Sequence, residues 1–270
     1  MKHFIVFLAL LLTSIASTVS AATYYVANNG ADTNAGNSKS APWQTLVKIN
    51  ATAFRPGDNV LFQRGDTFYG SVTVHNSGTS ENPIVYSAYG TGAAPIISGF
   101  TTLSNWTLLS GNIYYASLDV PSLNMVTVDD VVKAMGRYPN SGYLSYENHT
   151  ENTSITDNQL TATPDWTGAE VVIRKYRWIL DRQFITSQVG GTLNYNALRT
   201  YGNNNAYKPL NGNGYFIQGS LAALDTPGEW YYDKTNKRLY MYFAGRPLGK
   251  VVKASSVDRN GTVNSQSYIT

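Results

Sequence analysis

Short apolar segments rich in β-branched and aromatic residues recur at a regular interval early in the chain. Four of them begin 12 residues apart: Val60-Leu61-Phe62, Val72-Thr73-Val74, Ile84-Val85-Tyr86 and Ile96-Ile97-Ser98. Polar turn residues such as Arg64-Gly65-Asp66 separate them, as expected between β-strands. Two such strands per coil give a repeat of roughly 24 residues, which is typical of stacked parallel coils, although an antiparallel meander has the same spacing. Parallel coils would place Val60 beside Ile84 and Val72 beside Ile96.

One segment before these strands has a helical pattern instead. Ser40 offers an N-terminal cap and Pro42 suits a first turn. An apolar stripe follows, formed by Trp43, Leu46, Val47 and Ile49. It ends before Pro56-Gly57. The pattern therefore predicts a helix over Trp43–Ala53 with one apolar face.

The regular spacing stops after Gly99, and the later strands differ in length. They are predicted at Met125–Val128, Val171–Leu180, Gly214–Ile217, Trp230–Tyr232 and Leu239–Tyr242. The last two flank a polar connection, Asp233–Arg238, which suits a hairpin. This pattern predicts an inserted antiparallel β subdomain, after which Val251–Ser255 returns the chain to the first pattern.

Composition agrees with an all-β protein and narrows its partners. The 270 residues include 20 Tyr and 23 Gly but no Cys, which excludes disulfides, thiolate chemistry and a lipid anchor on cysteine. The formal net charge is +3. Such a small net charge gives no electrostatic reason to expect nucleic acid or an anionic membrane as a partner. A surface rich in aromatic and amide groups suits a polysaccharide partner.

The first residues have the features of an export signal. Lys2 precedes an apolar run from Phe4 to Leu12, and Val19-Ser20-Ala21 follows as a small-residue cleavage site. The run is shorter than the roughly 20 residues of a membrane-spanning helix. We therefore predict a signal peptide at residues 1–21, cleaved between Ala21 and Ala22, and a secreted, periplasmic or cell-surface protein.

Several motifs resemble the N-terminal part of secreted bacterial right-handed parallel β-helix proteins of the pectate-lyase-like superfamily. The closest resemblance is to β-helix glycoside hydrolases with an inserted β-sandwich. The matching segments are Tyr24-Tyr25-Val26, Gly30–Gly36, Ala41–Leu46, Pro56-Gly57-Asp58, Asn82–Tyr86, Tyr89-Gly90, Arg137–Asn140 and Pro227–Asp233. The resemblance implies a helix cap and first coils at residues 22–100, the antiparallel insertion at 101–250 and a return to coils at 251–270.

The same resemblance implies a glycoside hydrolase acting on polysaccharide. Its catalytic carboxylates would project from later coils, so no catalytic residue is assigned in this chain. The segment Ser267–Thr270 begins another strand where the sequence stops. We therefore expect a fragment that is inactive alone. A non-catalytic, polysaccharide-binding or adhesive β-helix and a polysaccharide lyase remain alternatives.

Paired carboxylates would be needed for glycoside hydrolysis, and two pairs are candidates. Asp225 and Glu229 flank Pro227-Gly228, where a turn-capping role for Asp225 is the stronger interpretation. Asp129 and Asp130 are adjacent, and adjacent strand residues face opposite ways, which favours a hairpin tip.

Aromatic and basic residues converge in the segment from Arg174 to Arg182. If it were one strand, Arg174, Tyr176 and Trp178 would share a face. Rings there could stack on sugars and arginines could bind hydroxyl or carboxylate groups, so Arg137, Tyr176, Arg177 and Trp178 are the candidate substrate-binding residues. The alternative is a core strand with Trp178 buried, and a structural salt bridge for Arg137.

Metal binding has little support in the sequence. His75 and His149 are the histidines that remain after the leader, and they lack the clustered spacing of a zinc site. Asp32, Asn34 and Asn37 in the first loop could supply oxygen ligands to calcium, but without a recognised loop motif. We therefore predict no cofactor.

Overall fold

The computed structural model describes residues 20–197 and 208–270. The chain divides into two compact units. Unit 1 comprises the residues up to Ser98 together with Arg259–Thr270, and unit 2 comprises Gly99–Asp258. The described residues are nearly all β, which confirms the all-β class expected from the sequence.

The strands are short, and the elements follow in chain order. Unit 1 opens with β1 (Thr23–Val26), α1 (Leu46–Asn50), β2 (Asn59–Gln63), β3 (Thr67–Tyr69), β4 (Val72–Val74), β5 (Val85–Tyr89) and β6 (Ile96–Ser98). Unit 2 begins with β7 (Phe100–Leu103), β8 (Thr107–Ser110), β9 (Ile113–Ser117), β10 (Val126–Val128), β11 (Val131–Lys133), β12 (Arg137–Tyr138), β13 (Leu144–Ser145), β14 (Asn148–Thr150) and β15 (Ser154–Thr156). It continues with β16 (Glu170–Tyr176), β17 (Ile179–Val189), β18 (Thr192–Tyr195), β19 (Gly214–Gln218), a 3-10 helix (Leu221–Ala223), β20 (Trp230–Asp233), β21 (Arg238–Tyr242) and β22 (Val252–Ser255). Unit 1 resumes with β23 (Gly261–Val263).

Strand pairing in unit 1 is parallel. β2 lies between β1 and β5, β3 pairs with β6, and β4 pairs with β23. The expected parallel pairing of the Val60 and Ile84 segments is confirmed. The register differs by two residues, because Val60 is opposite Tyr86 and not opposite Ile84.

The expected pairing of Val72 with Ile96 is wrong. Val72 is opposite Gly261, and Ile96 is opposite Thr67. The reason is the turn after β2, where Gly65 has a φ of 89° and the chain turns directly into β3. Such a positive φ favours glycine. The regular spacing predicted that β4 would pair with β6. The additional strand β3 pairs with β6 instead, and β4 pairs with β23.

The helix is shorter than the sequence pattern predicts, because Trp43 belongs to an extended segment. The Trp43 backbone N–H donates to the Tyr25 carbonyl, and its own carbonyl accepts from the Ala27 N–H. The helix α1 has five residues, is capped by Thr45 instead of Ser40, and leaves Val47 75% exposed. In the described ranges, no helix is long and apolar enough to cross a membrane.

The core of unit 1 is aromatic and aliphatic, with one buried carboxylate at its edge. Trp43 stacks on Tyr24 at 4.6 Å between ring centroids, and Phe62 packs edge-on against Phe68. Asp58 is 3% exposed and accepts the Ala22 and Arg55 backbone N–H groups. These bonds explain the Pro-Gly-Asp motif, because the carboxylate closes its own turn and also binds the chain before β1.

The described residues of unit 2 form antiparallel strands in three sheets. The largest, which we call the large sheet, has the order β12-β19-β16-β17-β18-β15-β14, with β13 also paired to β19. The other two are β11-β10-β22-β7 and β20-β21-β9-β8. The predicted hairpin around Asp233–Arg238 is confirmed as β20 and β21. Strand β22 lies within unit 2, whereas the sequence-based boundary falls after residue 250.

Two apolar cores stabilise unit 2. One contains Trp230, Leu239 and Met241 from the β20–β21 hairpin, together with Val126 and Val252. The other lies on the inner face of the large sheet and contains residues from several of its strands. These include Val171, Ile173, Ile185, Leu193, Tyr215 and Ile217. Strand alternation leaves the opposite side of the large sheet open to polar and charged side chains.

Candidate functional site

The candidate residues Tyr176, Arg177 and Trp178 lie at a hairpin tip. Tyr176 ends β16 and pairs with Ile179 of β17, so the chain reverses at Arg177 and Trp178. The interpretation of Val171–Leu180 as one strand is therefore wrong. Trp178 is 80% exposed, and the Arg177 guanidinium lies 5.1 Å from the Tyr176 ring centroid. The tip is a cationic and aromatic projection.

The alternative of a core strand with a buried Trp178 is also wrong. The inward positions of β16 are Val171, Ile173 and Lys175, each fully buried. Lys175 reaches Asp181 of β17 at 3.1 Å. Alternation puts Tyr176 on the opposite side from these residues, and the chain then reverses, so Trp178 lies in solvent at the hairpin tip.

Arg137 holds a turn together instead of forming the expected salt bridge. Its guanidinium donates to the carbonyls of Pro139 at 3.0 Å and Gly142 at 2.5 Å. It also lies over the ring of Phe216, 3.9 Å from the centroid. Arg137 therefore supports the loop after β12 and covers one face of Phe216.

The register of the large sheet places several of these side chains on one surface. Phe184 is opposite Glu170, Glu170 opposite Gln218, and Gln218 opposite Arg137. The next row joins Arg182, Val172 and Phe216. The third joins Leu180 and Arg174. We call this surface the outer face, and its principal residues are Arg137, Glu170, Arg174, Arg182, Phe184 and Phe216.

A cleft in unit 2 adjoins the outer face. Its volume is about 280 Å³, and its walls come from β16, β17 and the β20–β21 hairpin. The lining side chains with chemical significance are Glu170, Phe184, Trp230, Tyr231, Asp233 and Lys234. We call this space the cleft. It combines aromatic surface with hydrogen-bonding groups, as small-molecule and sugar sites do.

Both carboxylates of the cleft have partners. Glu170 accepts a hydrogen bond from Gln218 Nε2 at 2.5 Å and lies 3.5 Å from Arg182 Nε. Burial raises the pKa of Asp233, but hydrogen bonds from Asn236 outweigh burial and hold that pKa below its usual value. An ionised Asp233 accepts hydrogen bonds from hydroxyl groups. It does not suit the general acid of glycoside hydrolysis, which needs a raised pKa.

The carboxylate pairs singled out in the sequence hold turns. Glu229 is 6% exposed and accepts the backbone N–H groups of Asp225 and Thr226. The turn is thus closed by Glu229, while Asp225 accepts from Asn140. Asp129 and Asp130 lie at the β10–β11 hairpin tip, as the sequence indicates.

Two of the three first-loop residues that could have supplied calcium ligands, Asp32 and Asn34, make hydrogen bonds within the protein. Asp32 accepts from the Gln44 and Thr45 backbone N–H groups and from the Thr45 hydroxyl. Asn34 donates to the Pro42 carbonyl. Throughout residues 20–197 and 208–270, no group of three or more His, Cys, Asp or Glu side chains could hold a metal ion.

The predicted leader lies almost wholly outside the described residues, which begin at residue 20. Ala22 is within them, and its backbone N–H donates to Asp58 while its carbonyl accepts from Asn59. Cleavage between Ala21 and Ala22 stays a prediction.

The fold resembles that of a solved glycoside hydrolase. A solved structure named glycoside hydrolase matches 92% of this chain with a TM-score of 0.69, and the match covers 49% of that structure. The two sequences are 17% identical, so this likeness concerns the fold alone.

Sequence comparison identifies a relative over a smaller part of the chain. A lacto-N-biosidase from Bifidobacterium longum subsp. longum is 42% identical over 80 residues, which are 27% of this chain and 5% of that enzyme. A solved GH136 lacto-N-biosidase from Eubacterium ramulus is 34% identical over 30% of this chain and 14% of its own, with a TM-score of 0.26. No protein-family model matches. The chain thus spans a small fraction of the length of the curated relative.

Sequence reasoning did not find Glu170, Phe184 or Asp233 as members of a common surface. Phe184 and Glu170 are separated along the chain and come together because β16 and β17 pair with Phe184 opposite Glu170. A two-residue reversal at Arg177-Trp178 fixes that register. If this reversal had been recognised in the sequence, the pairing of Phe184 with Glu170 would have been predicted.

Proposed function

We propose that this chain is part of an exported bacterial carbohydrate-active protein of the glycoside hydrolase type. In this proposal the parallel strands of unit 1 begin a right-handed parallel β-helix, and unit 2 is an antiparallel insertion that binds polysaccharide. The match to a lacto-N-biosidase, the fold likeness and the leader-like pattern from Lys2 to Ala21 support it.

The observation that carries the proposal is the composition of the cleft. Phe184 is 64% exposed at its rim, where its ring is open to a ligand. A ring of this kind stacks on the C–H face of a sugar. Glu170, Asp233 and Lys234 offer acceptors and donors for hydroxyl groups.

The role proposed for the cleft is binding. The lowered pKa of Asp233 suits a group that accepts hydrogen bonds, not a general acid, and the Glu170 carboxylate already accepts a hydrogen bond from Gln218. Cleavage would use general acid and base carboxylates elsewhere in the whole protein. The same observation favours a second candidate function, a non-catalytic polysaccharide-binding protein.

Phe184→Ala tests the proposal. Because the ring is mostly exposed, its removal should spare the fold but weaken binding to neutral soluble polysaccharides such as xyloglucan and arabinoxylan by about fivefold to tenfold. Affinity electrophoresis of the full chain measures the effect.

Val189→Ala is the matched control, because Val189 is 71% exposed on the same strand but does not line the cleft. It should bind as the unchanged chain does. Equal binding by the Phe184 and Val189 variants, or no binding by the unchanged chain, would contradict the proposed role of the cleft.

A further inference from the structure

We infer that the outer face of the large sheet binds a carboxylate-bearing polysaccharide, with its chain running across the strands. This inference rests on the proposed function and deepens it by naming the class of glycan. The outer face joins the cleft through Glu170 and Phe184, so one continuous surface would hold successive sugar residues.

The geometry of the outer face suits an extended ligand. The row from Phe184 through Glu170 and Gln218 to Arg137 crosses four strands. Adjacent strands lie about 4.8 Å apart, so the row spans about 14 Å. It is long enough for an oligosaccharide segment.

Large apolar side chains on this side of the sheet are exposed to solvent. Phe184 is 64% exposed, Leu180 is 52% exposed, and Trp178 at the adjoining hairpin tip is 80% exposed. Phe184 and Leu180 alternate with Arg182 along β17, so apolar and cationic groups are available on the same side of the sheet. Rings and aliphatic groups pack against the C–H faces of sugars, whereas the hydroxyl edges need polar partners.

The charge of the outer face selects the class of sugar. The principal residues of the outer face include three arginines and one carboxylate, Glu170. The arginines are Arg137, Arg174 and Arg182, and Arg177 adds a further positive charge at the hairpin tip. Arg182 is 72% exposed and approaches Glu170 through Nε alone in the pair that the structure gives. The side chain is thus largely open to solvent, and a guanidinium can bind a carboxylate in bidentate geometry.

The arginines differ in the roles they can take. Arg137 donates to the Pro139 and Gly142 carbonyls and supports the Phe216 ring, so it contributes charge and positioning. Arg174 is exposed, and its Nε bond to the Arg177 carbonyl fixes the direction of its side chain. Arg174 and Arg182 are therefore the residues that would contact the ligand.

A carboxylated glycan fits these observations better than a nucleic acid. The formal charge of the whole chain is only +3, without the broad basic field that polyphosphate binding uses. The positive groups are instead arginines placed between apolar side chains on one face of the sheet. A repeating chain of uronic acids offers the matching alternation of carboxylates and C–H faces.

The test compares polygalacturonate with its methyl-esterified form, which has the same backbone without the charge. Affinity electrophoresis of the full chain should give about tenfold tighter binding to polygalacturonate. Arg182→Gln should lose most of this preference, and the double variant Arg174→Gln/Arg182→Gln should lose all of it. Binding to neutral xyloglucan should fall much less than binding to polygalacturonate in the same variants. Arg182→Lys should recover only part of the preference, because an ammonium cannot bind a carboxylate in bidentate fashion.

Arg246→Gln is the matched control, since Arg246 is an exposed arginine of unit 2 outside the outer face. It removes the same charge and should leave polygalacturonate binding unchanged. Thermal melts of all variants show whether the fold is retained, and the single Arg182 variant remains informative if the double variant does not fold.

Three outcomes overturn the inference. They are equal binding to the two pectic forms, an equal loss with Arg246→Gln, and equally tight, arginine-dependent binding to a short DNA duplex. Neutral-glycan binding that survives any of these outcomes would leave the proposed function standing. Absence of all glycan binding would contradict both.

Discussion

The buried ion pair of Lys175 and Asp181 shows how one residue pair fixes the hairpin that carries the exposed tip. Lys175 is fully buried and Asp181 is 12% exposed, and their charged atoms lie 3.1 Å apart. Burying a charge is costly unless it is paired. The pair therefore discriminates against registers of β16 and β17 that would separate the two residues.

Replacing one partner should destabilise the protein strongly. Lys175→Met leaves the Asp181 carboxylate without this ammonium group, and we expect the free energy of unfolding to fall by about 3 kcal/mol. The double variant Lys175→Met/Asp181→Leu should recover much of this loss, because neither position then carries an unpaired buried charge. Urea denaturation measures both.

Lys237→Met is the control for the ion pair. Lys237 forms a comparable contact with Asp119 at 2.6 Å, but both side chains are more than half exposed. Its replacement should change stability little. If the two lysine variants are equally stable, the buried pair has no special role.

At the scale of elements, the sequence predicted strands better than their connections. The Val60 and Ile84 segments pair as expected because their apolar residues and flanking turns define the strands locally. The extra strand β3 and the reversal at Arg177 were missed, since both depend on a backbone with positive φ at a single residue. Periodicity does not report such a local feature.

The start of α1 depends on Asp32, which lies in the preceding loop. A five-residue helix has no stability of its own, so it needs partners outside itself. The Asp32 carboxylate accepts three hydrogen bonds from Gln44 and Thr45. Burial raises the pKa of Asp32, but these bonds outweigh burial and lower it.

Asp32→Asn should loosen α1. The neutral amide offers one acceptor where the carboxylate has two, so we expect a loss of about 2 kcal/mol and faster hydrogen exchange at the Leu46–Asn50 amides. Because the pKa in the folded state is depressed, the stabilisation is present above the ordinary value of 3.8 and is lost as the pH falls below it.

The comparison for this prediction is Asp258→Asn, which alters an exposed carboxylate bonded to Ser122. Exchange at the α1 amides should be unaffected. Unchanged exchange in the Asp32 variant as well would contradict the role given to its carboxylate.

At the scale of the whole molecule, buried tyrosines link stability to alkaline pH. Burial raises the pKa of Tyr146 to about 12, and it also raises the pKa values of Tyr195 and Tyr215 in the same core. The unfolded chain ionises these groups near pH 10, whereas the folded chain keeps them neutral.

Stability should therefore fall as the pH rises above 10. A raised pKa in the folded state means that the stabilisation from Tyr146 is fully present below pH 10 and is lost as the pH rises through about 12. Each such tyrosine adds a slope of about 1.4 kcal/mol per pH unit. Urea melts from pH 9 to pH 11.5, with tyrosinate absorbance, should show the decline, and Tyr146→Phe should reduce its slope. A flat profile would contradict the burial of these hydroxyls.

The candidate site could be predicted only in part. The chain segment from Arg174 to Arg182 was recognised as chemically unusual, and the structure places Arg174 and Arg182 on one surface. Phe184, Glu170 and Asp233 were not recognised, because their proximity arises from pairing between strands and from a separate hairpin. Composition indicates the kind of ligand, whereas the site itself depends on register.

The pairing of β4 with β23 has a consequence for the order of folding. Ser77 and Gln266, beside these strands, bond although 189 residues separate them, and closing so long a loop in an unfolded chain is slow and entropically costly. Unit 2 lowers that cost, since β7 pairs with β22 and brings the Gly99 carbonyl within 2.7 Å of the Ser256 N–H. Once unit 2 has folded, β23 reaches β4 through a short effective loop. We therefore expect unit 2 to fold before β4 and β23 pair, and its folding to speed that pairing.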